Sequence, residues 1–304
     1  MDIRVLRYFI ATVRAQSISA AAAALGITQP TLSRQLIELE EELGHRLFER
    51  SNRKIHLTPK GELFLERAEE VVELFERAKT EISADDDPVG TLSIAAAETP
   101  AMRYLAEVIQ DFHRQAPRVK IDISSSNESG AAAALRSGMA DIAVFTGTVD
   151  LEDYSFIRLP LQDRWGVLTP KDGPLAGKAA ASPQDLRGLP LLVSKQAFHR
   201  NEFAGWLRAP LEALRIVGYF NLIYNAALLA EQGFGHAVSL EGIYQPGPDS
   251  RLCWLPLAPA LAADVHVCWP KFRTPSRAAE VFIEKLHAKL AADKSPEAAH
   301  AQDA

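Results

Sequence analysis

The sequence predicts an α/β fold for most of the chain, preceded by a small helical head and one long connecting helix. From about residue 90 onward, short β-type apolar runs alternate with stretches of helical periodicity, which is typical of α/β proteins with parallel sheets. The first 58 residues instead hold closely spaced helix start and stop signals. Between these regions, residues 59–84 have one uninterrupted helical pattern.

Composition restricts the class of protein. The chain has 304 residues, of which 47% are hydrophobic and 24% charged, so disorder over most of the chain is excluded. Charge or proline interrupts each apolar stretch before the roughly 20 residues that a membrane span needs, and the N-terminus lacks the apolar core of a signal peptide. We therefore expect a cytoplasmic protein without a membrane partner. Two cysteines exclude a disulfide framework and a cysteine-rich zinc site.

Charge is distributed unevenly. The chain has a net charge of −6, yet nine basic and six acidic groups give residues 1–60 a charge of +3 and leave −9 for the remainder. A basic head on an acidic body indicates a polyanionic partner for the head alone.

The head is predicted to form three helices and a hairpin. Residues 3–14 have amphipathic spacing, a short alanine-rich helix follows Ser17 or Ser19 and ends at Gly26, and a third helix runs from Gln29 to Gly44. Two short alternating runs, RLFER and IHLT, then flank a polar turn. Together these elements predict a winged helix-turn-helix over residues 1–58.

The third helix and the hairpin tip hold the candidate DNA contacts. In a helix-turn-helix the second helix of the motif enters the major groove with its N-terminal side chains over the base edges. Glutamine pairs with adenine and arginine with guanine, while basic residues at a wing reach phosphates or a minor groove. A hydrogen bond to the helix backbone is the alternative for Ser33. The candidates are Thr28, Gln29, Pro30, Thr31, Ser33, Arg34, Arg53 and Lys54.

The connecting helix is predicted to join two copies of the chain. Thr58 is the expected N-cap and Pro59 the first helical residue. Apolar residues follow in steps of four and three, the spacing of a heptad, and we call them the linker stripe: Phe64, Ala68, Val71, Phe75, Ala78 and Ile82. The alternative is an ordinary helix that packs on its own domain. Residues 59–87 are the predicted linker.

The head resembles a known family. The residues that carry the resemblance span nearly all of the first 65 positions: FIATVRAQSISAAAAALGITQPTLSRQLIELEEELGHRLFERSNRKIHLTPKGELFL. They look like the winged helix-turn-helix of LysR-type transcriptional regulators. The resemblance implies that Gln29, Pro30, Ser33 and Arg34 lie at the major groove of double-stranded DNA and Arg53 at the wing. It also implies a homodimer, often a homotetramer, and leaves contact with RNA polymerase open.

The rest of the chain resembles the effector domain of the same family in its order of strands and helices rather than in particular sequence motifs. That domain is similar to periplasmic binding proteins. We expect residues 88–293 to form two lobes, the first from 88–161 and 267–293 and the second from 162–266, followed by a disordered tail at 294–304. The chain would cross between the lobes near 160–164 and 262–267.

Polar residues where strands end are the candidates for effector binding. In open α/β sheets, ligands bind outside the carboxyl ends of the strands, where helix N-termini point. Converging helix N-termini favour an anion, for which a small carboxylate is the leading candidate. Thr99 and Asn127 have the alternative role of helix N-caps. The candidates are Thr99, Asn127, Thr146, Ser194, Lys195 and Asn225.

Other functional classes find little support in the sequence. The chain contains no HExxH, no GxSxG and no nucleotide-binding glycine pattern, so we predict neither an enzyme, nor a metal site, nor a cofactor. A solute-binding protein would lack the head, while an effector-independent DNA-bridging repressor stays as an alternative. Cys253 and Cys268 lie in apolar runs, which indicates core residues rather than a redox-sensing pair.

Overall fold

The computed structural model describes residues 1–49, 55–83, 87–194, 201–210 and 213–294. The chain divides into two compact units, Met1–Ser83 and Ala84–Ala304. No helix among the described residues is both long and apolar enough to cross a membrane.

The N-terminal unit contains the predicted winged helix-turn-helix. Its elements are α1 (Ile3–Ala15), α2 (Ile18–Leu25), α3 (Gln29–Leu43), the two-stranded antiparallel sheet of β1 (Phe48–Glu49) and β2 (His56–Leu57), and α4 (Pro59–Ser83). Ser17 caps α2 by accepting a hydrogen bond from the Ala20 N–H. Gly26 and Gly44 end α2 and α3 with φ of 68° and 69°, a conformation that favours glycine. The wing tip with Arg53 and Lys54 lies outside the described residues.

The helices of this unit share one hydrophobic core. Ala22 and Leu32 are buried in the core that α2 and α3 share. The Phe9 ring lies 5.2 Å from the Phe48 ring and 5.1 Å from the Phe64 ring, so the wing and α4 pack on the same core as α1.

This core corrects the prediction for the first part of the linker stripe. Ala68 is buried and Phe64 packs beside it in the core of its own chain, because α4 packs against α1. The stripe is exposed only from the middle of α4 onward, where Val71, Phe75 and Ile82 have 49%, 46% and 86% of their surface accessible. Ala78 is exposed as well. The alternative of intrachain packing therefore applies to Phe64 and Ala68, and in part to Phe75, whose ring centroid lies 5.7 Å from the guanidinium carbon of Arg7 on α1.

The C-terminal unit alternates strands and helices as predicted. Its strands are β3 (Gly90–Ala96), β4 (Val119–Ser125), β5 (Ile142–Thr146), β6 (Tyr154–Pro170), β7 (Leu191–Ser194), β8 (Ile216–Phe220), β9 (His236–Leu240), β10 (Leu252–Pro256) and β11 (Ala262–Pro270). Its helices are α5 (Met102–Gln115), α6 (Glu128–Ser137), α7 (Pro183–Leu186), α8 (Asn201–Leu207), α9 (Ile223–Glu231) and α10 (Arg277–Asp293). Gly138 ends α6 in a left-handed conformation.

The sheet is mixed rather than parallel throughout. The nine strands follow the order β4-β3-β5-β11-β6-β9-β7-β8, and β10 pairs with β6 beside this path. Two parallel groups, β4-β3-β5 and β8-β7-β9, lie at the two ends. Strands β6 and β11 pair antiparallel with their neighbours. The prediction of parallel sheets is wrong for this middle part. Strands β6 and β11 connect the two halves of the fold, and each runs antiparallel to the strands beside it.

A 17-residue strand connects the two halves. Residues 154–164 of β6 pair with β11, and residues 165–170 pair with β9 and β10. We call the half with β3, β4, β5 and β11 lobe I and the half with β7, β8, β9 and β10 lobe II. In the sequence, the apolar run WGVLT predicts this strand only from Trp165 onward, so its first 11 residues are not predicted.

Each lobe has its own core. In lobe I, α5 and α10 cover the sheet, with the Phe112 and Phe282 rings 6.0 Å apart. In lobe II, Leu186, Leu207 and Val238 are among the buried residues. Cys268 is buried in lobe I, and burial raises the pKa of its thiol to about 12. A thiol with so high a pKa is unreactive at neutral pH.

Candidate functional site

The N-terminal end of α3 is an exposed polar surface. Gln29, Pro30, Thr31 and Arg34 are exposed, while Leu32 and Leu36 on the opposite side of the helix are buried. Thr28 is the N-cap and its hydroxyl oxygen accepts from the Thr31 N–H at 3.4 Å. Ser33 is half-buried, and its hydroxyl makes no hydrogen bond to a described residue. The helix thus presents the predicted side chains together on one exposed surface.

Arg34 has a partner that the sequence analysis did not predict. Its Nε donates to Glu38 Oε1 at 2.8 Å, and Gln35 donates to the other oxygen of the same carboxylate at 2.7 Å. The Arg34 side chain is 80% exposed, and exposed ion pairs contribute about 0–1 kcal/mol. A bidentate contact to a base contributes about 1–3 kcal/mol, so such a contact would outweigh the exposed pair with Glu38.

Glu40 positions the wing. One of its carboxylate oxygens accepts from the backbone N–H groups of Leu47 and Phe48, at 2.6 and 3.0 Å. This contact fixes the start of β1 relative to α3. The role is not visible in the sequence, because Glu40 belongs to a run of acidic residues in which no position stands out.

A pocket lies between lobe I and lobe II at the carboxyl ends of the strands. It has a cavity volume of about 60 Å³. Lobe I contributes Ala97, Glu98, Ser126, Asn127 and Thr146, and lobe II contributes Ser194, Ser239 and residues 220–223, with Trp165 at the crossing strand. Three of the predicted residues, Asn127, Thr146 and Ser194, are therefore brought together. Lys195 follows Ser194 and lies outside the described residues.

Two helix N-termini border the pocket from opposite lobes. Asn127 caps α6, and its side-chain oxygen accepts from the Gly130 N–H at 2.8 Å and from the Ser129 hydroxyl at 3.1 Å. Leu222 occupies the cap of α9, where no side chain in the described part of the chain accepts from the first turn. The N–H groups at the start of α9 are thus available to an anionic or carbonyl oxygen.

Asn225 was predicted at the start of α9, and the structure corrects this. The helix begins at Ile223, so Asn225 is its third residue and is exposed outside the pocket lining. The asparagine that lines the pocket is Asn221, directly after β8. The rule of choosing polar residues at strand ends selects Asn221 once the end of β8 is known.

Thr99 also lies apart from the pocket lining. Its hydroxyl donates to Asp163 Oδ2 at 2.5 Å and accepts from the Ala101 N–H at 3.0 Å. Asp163 is on the crossing strand and only 2% exposed. Burial raises the pKa of the Asp163 carboxyl, while the hydrogen bonds from Thr99 and Ala101 act in the opposite direction. The Thr99 hydroxyl thus ties the end of β3 to the strand that joins the lobes.

The walls of the pocket are partly aromatic. Phe220 and Trp165 line it from lobe II and the crossing strand. The Trp165 Nε1 is buried, and no described residue accepts its hydrogen. An unpaired buried donor costs about 1–3 kcal/mol, which a ligand or water acceptor at the wall would offset.

Comparisons with known families match both units. A family model described as "Bacterial regulatory helix-turn-helix protein, lysR family" matches residues 3–62, and one described as "LysR substrate binding domain" matches residues 85–291. An uncharacterised HTH-type transcriptional regulator of Methanocaldococcus jannaschii is 30% identical over 268 residues, 84% of this chain and 87% of the relative. The regulator MetR of Escherichia coli K12 is 30% identical over 194 residues, 64% of this chain and 60% of MetR.

Solved structures share the fold along nearly the whole chain. The LysR family regulator CbnR has a TM-score of 0.68 at 22% identity, covering 95% of this chain and 99% of CbnR. HinK, a LysR family transcriptional regulator from Pseudomonas aeruginosa, has a TM-score of 0.54 at 26% identity, covering 93% of this chain and 96% of HinK.

Proposed function

Since the chain belongs to the LysR family of transcriptional regulators, we propose that a small effector in the pocket between the lobes controls how its N-terminal unit acts on double-stranded DNA. The observation that carries the proposal is the pocket itself, which takes its polar lining from both lobes. A ligand bound there contacts two bodies joined by a continuous strand. It therefore favours one relative arrangement of the lobes over others.

The exposed start of α3 supports a specific DNA role for each residue. Gln29 and Arg34 carry amide and guanidinium donors suited to adenine and guanine edges, and the Thr31 methyl group suits a thymine methyl. Thr28 and Ser33 lie beside these residues and are proposed to contact the DNA backbone or the bases. Arg53 and Lys54, in the wing tip, are the proposed contacts to phosphate or a minor groove.

Self-association is proposed to use the exposed half of the linker stripe. Val71, Phe75, Ala78 and Ile82 place apolar surface on one side of α4, and a second copy of α4 would cover it. We propose a homodimer built on this contact, with a homotetramer as the larger assembly. If the protein activates transcription, we propose that it also contacts RNA polymerase at the promoter.

The lining supports a small effector with an acidic or carbonyl oxygen. The uncapped start of α9 and the α6 N-terminus supply hydrogen-bond donors, and Ser126, Thr146, Ser194 and Ser239 supply hydroxyl groups. A carboxylate is the simplest group that uses both helix N-termini.

The test compares two tryptophan substitutions that flank α9, one before its start and one after its end. Asn221→Trp fills the pocket mouth, while the control Gln232→Trp adds the same ring at the exposed opposite end of the helix. The full chain is screened against a library of small metabolites by melting temperature, and each hit is added to an operator-binding titration. We expect wild type and Gln232→Trp to respond and Asn221→Trp to bind DNA without responding. If no compound alters melting or DNA binding, the chain is an effector-independent DNA-bridging repressor instead.

A further inference from the structure

The pocket contains one acidic side chain and, among its described lining residues, no basic one. Glu98 follows β3 and is half-buried in the lobe I wall. It forms no hydrogen bond or ion pair with a described residue. Arg103 borders a neighbouring hollow that Glu98 also lines, yet no ion pair within 4.0 Å joins the two among the described contacts.

A half-buried carboxylate that pairs with no described side chain favours a cationic ligand group. Desolvation makes a lone charge costly, and a matched opposite charge offsets that cost. The opposite side of the pocket favours a negative charge, because no described side chain accepts from the N–H groups at the start of α9. The two charge preferences thus lie on opposite walls, Glu98 on lobe I and the start of α9 on lobe II.

We propose that the effector is a small aminocarboxylate, with its ammonium group on Glu98 and its carboxylate on the start of α9. This inference rests on the proposed function and names the chemical class of its ligand. A ligand with both charges connects the two lobes through two charge-assisted hydrogen bonds. A simple carboxylate leaves Glu98 unpaired, and a simple amine leaves the α9 N–H groups unpaired.

The pocket has room for a small molecule, with a cavity volume of about 60 Å³. Phe220 and Trp165 leave an apolar wall for the carbon atoms between the two charged groups.

Binding of matched compounds to the full chain tests the inference. The probes are the free proteinogenic α-amino acids, the corresponding carboxylates without the amino group, and the corresponding amines without the carboxylate. Titration calorimetry at fixed salt gives the affinity of each. We expect at least one amino acid to bind about 10–100-fold more tightly than both of its truncated partners, the range for losing one charge-assisted hydrogen bond.

Substitutions at Glu98 identify the ammonium site. Glu98→Gln keeps the shape of the side chain and removes its charge, so the preference for the amino acid over the plain carboxylate should fall about tenfold or more. Glu98→Lys should reverse the preference. The control Asp122→Asn removes one carboxylate from an exposed position on β4 of the same lobe and should change neither affinity nor preference. The melting temperature of each unliganded variant checks its folding.

The possible results distinguish the aminocarboxylate assignment from the proposed effector pocket on which it rests. If plain carboxylates bind as well as amino acids, or if Glu98→Gln leaves the preference unchanged, the aminocarboxylate assignment is wrong while an effector pocket stands. If none of the probes binds but other metabolites raise the melting temperature, the ligand class is again wrong and the effector pocket stands. If no small molecule binds at all, the proposed function fails as well.

Discussion

The N-terminal unit and the effector unit form their functional surfaces in different ways. In the N-terminal unit, Thr28 to Arg34 are consecutive residues, the N-cap of α3 and its first six helical residues, and local caps at Thr28 and Gly44 fix their positions. In the effector unit, the pocket combines residues from Ala97 to Ile243, which only the topology brings together. A surface built from one segment tolerates change elsewhere, whereas a pocket built from many segments depends on every contact that sets the arrangement of the lobes.

The largest expected effect concerns assembly rather than either surface. Val71→Asp combined with Phe75→Asp places two charges in the proposed contact between α4 helices, and buried charges without partners cost several kcal/mol. Sedimentation should show monomers. Leu63→Asp with Thr80→Asp is the control, because it adds the same charges to exposed positions outside the stripe. An unchanged oligomer would mean that the exposed half of α4 is not the interface.

Thr99→Val should affect the stability of the effector unit. The substitution removes the hydroxyl that donates to buried Asp163, and a stranded buried polar group costs about 1–3 kcal/mol, with the upper part of that range expected for a carboxyl. Urea unfolding of the full chain measures the loss. Thr274→Val, at an exposed position of the same unit, should cost little. Equal stability for the two variants would show that the Thr99–Asp163 contact contributes nothing.

Arg34→Ala tests the local surface. We expect operator affinity to fall by about 1–3 kcal/mol, the range for one good base contact, with stability nearly unchanged because the pair with Glu38 is exposed. The control is Arg67→Ala, which removes a similar ion pair with Glu70 from α4. Both are measured at one salt concentration, since affinity for DNA depends on salt. A normal operator affinity for Arg34→Ala would place the recognition surface elsewhere.

The smallest expected effect is a pH dependence at the crossing strand. Burial raises the pKa of the Asp163 carboxyl, so the folded state binds this proton more tightly than the unfolded chain does. Wild type should therefore gain stability relative to Asp163→Asn as the pH falls from 7 through the raised pKa, and the difference should level off below the ordinary value of 3.8. Parallel stability curves for the two proteins would show that Asp163 titrates normally.

The sequence predicts most of the N-terminal unit because its determinants are local. Ser17, Gly26 and Gly44 specify helix ends within a few residues of themselves, and the structure has the helices where they indicate. The linker stripe shows the limit of this reasoning. Its spacing is regular from Phe64 to Ile82, but the first two members face the core around Phe9, and only tertiary packing separates them from the exposed remainder.

The effector unit is less predictable because its contacts join distant residues. Thr99 and Asp163 are 64 positions apart, so no pattern near Thr99 indicates that its hydroxyl is occupied. Strand β6 was predicted too short because Pro160 interrupts the run before Trp165, and a proline normally argues against a strand interior. Leu222 lacks the side-chain oxygen of a typical N-cap, so the start of α9 was placed at Asn225 and Asn221 was missed.

Hydrogen–deuterium exchange of the full chain tests the central claim most directly, that one ligand in the pocket contacts both lobes. Exchange is compared with and without the metabolite that raises the melting temperature most. Bound ligand should slow amide exchange at residues 127–130 at the start of α6 and at residues 222–225 at the start of α9, because it accepts from or covers both helix N-termini. Protection of only one of these segments, or protection confined to residues outside the pocket, would contradict the account.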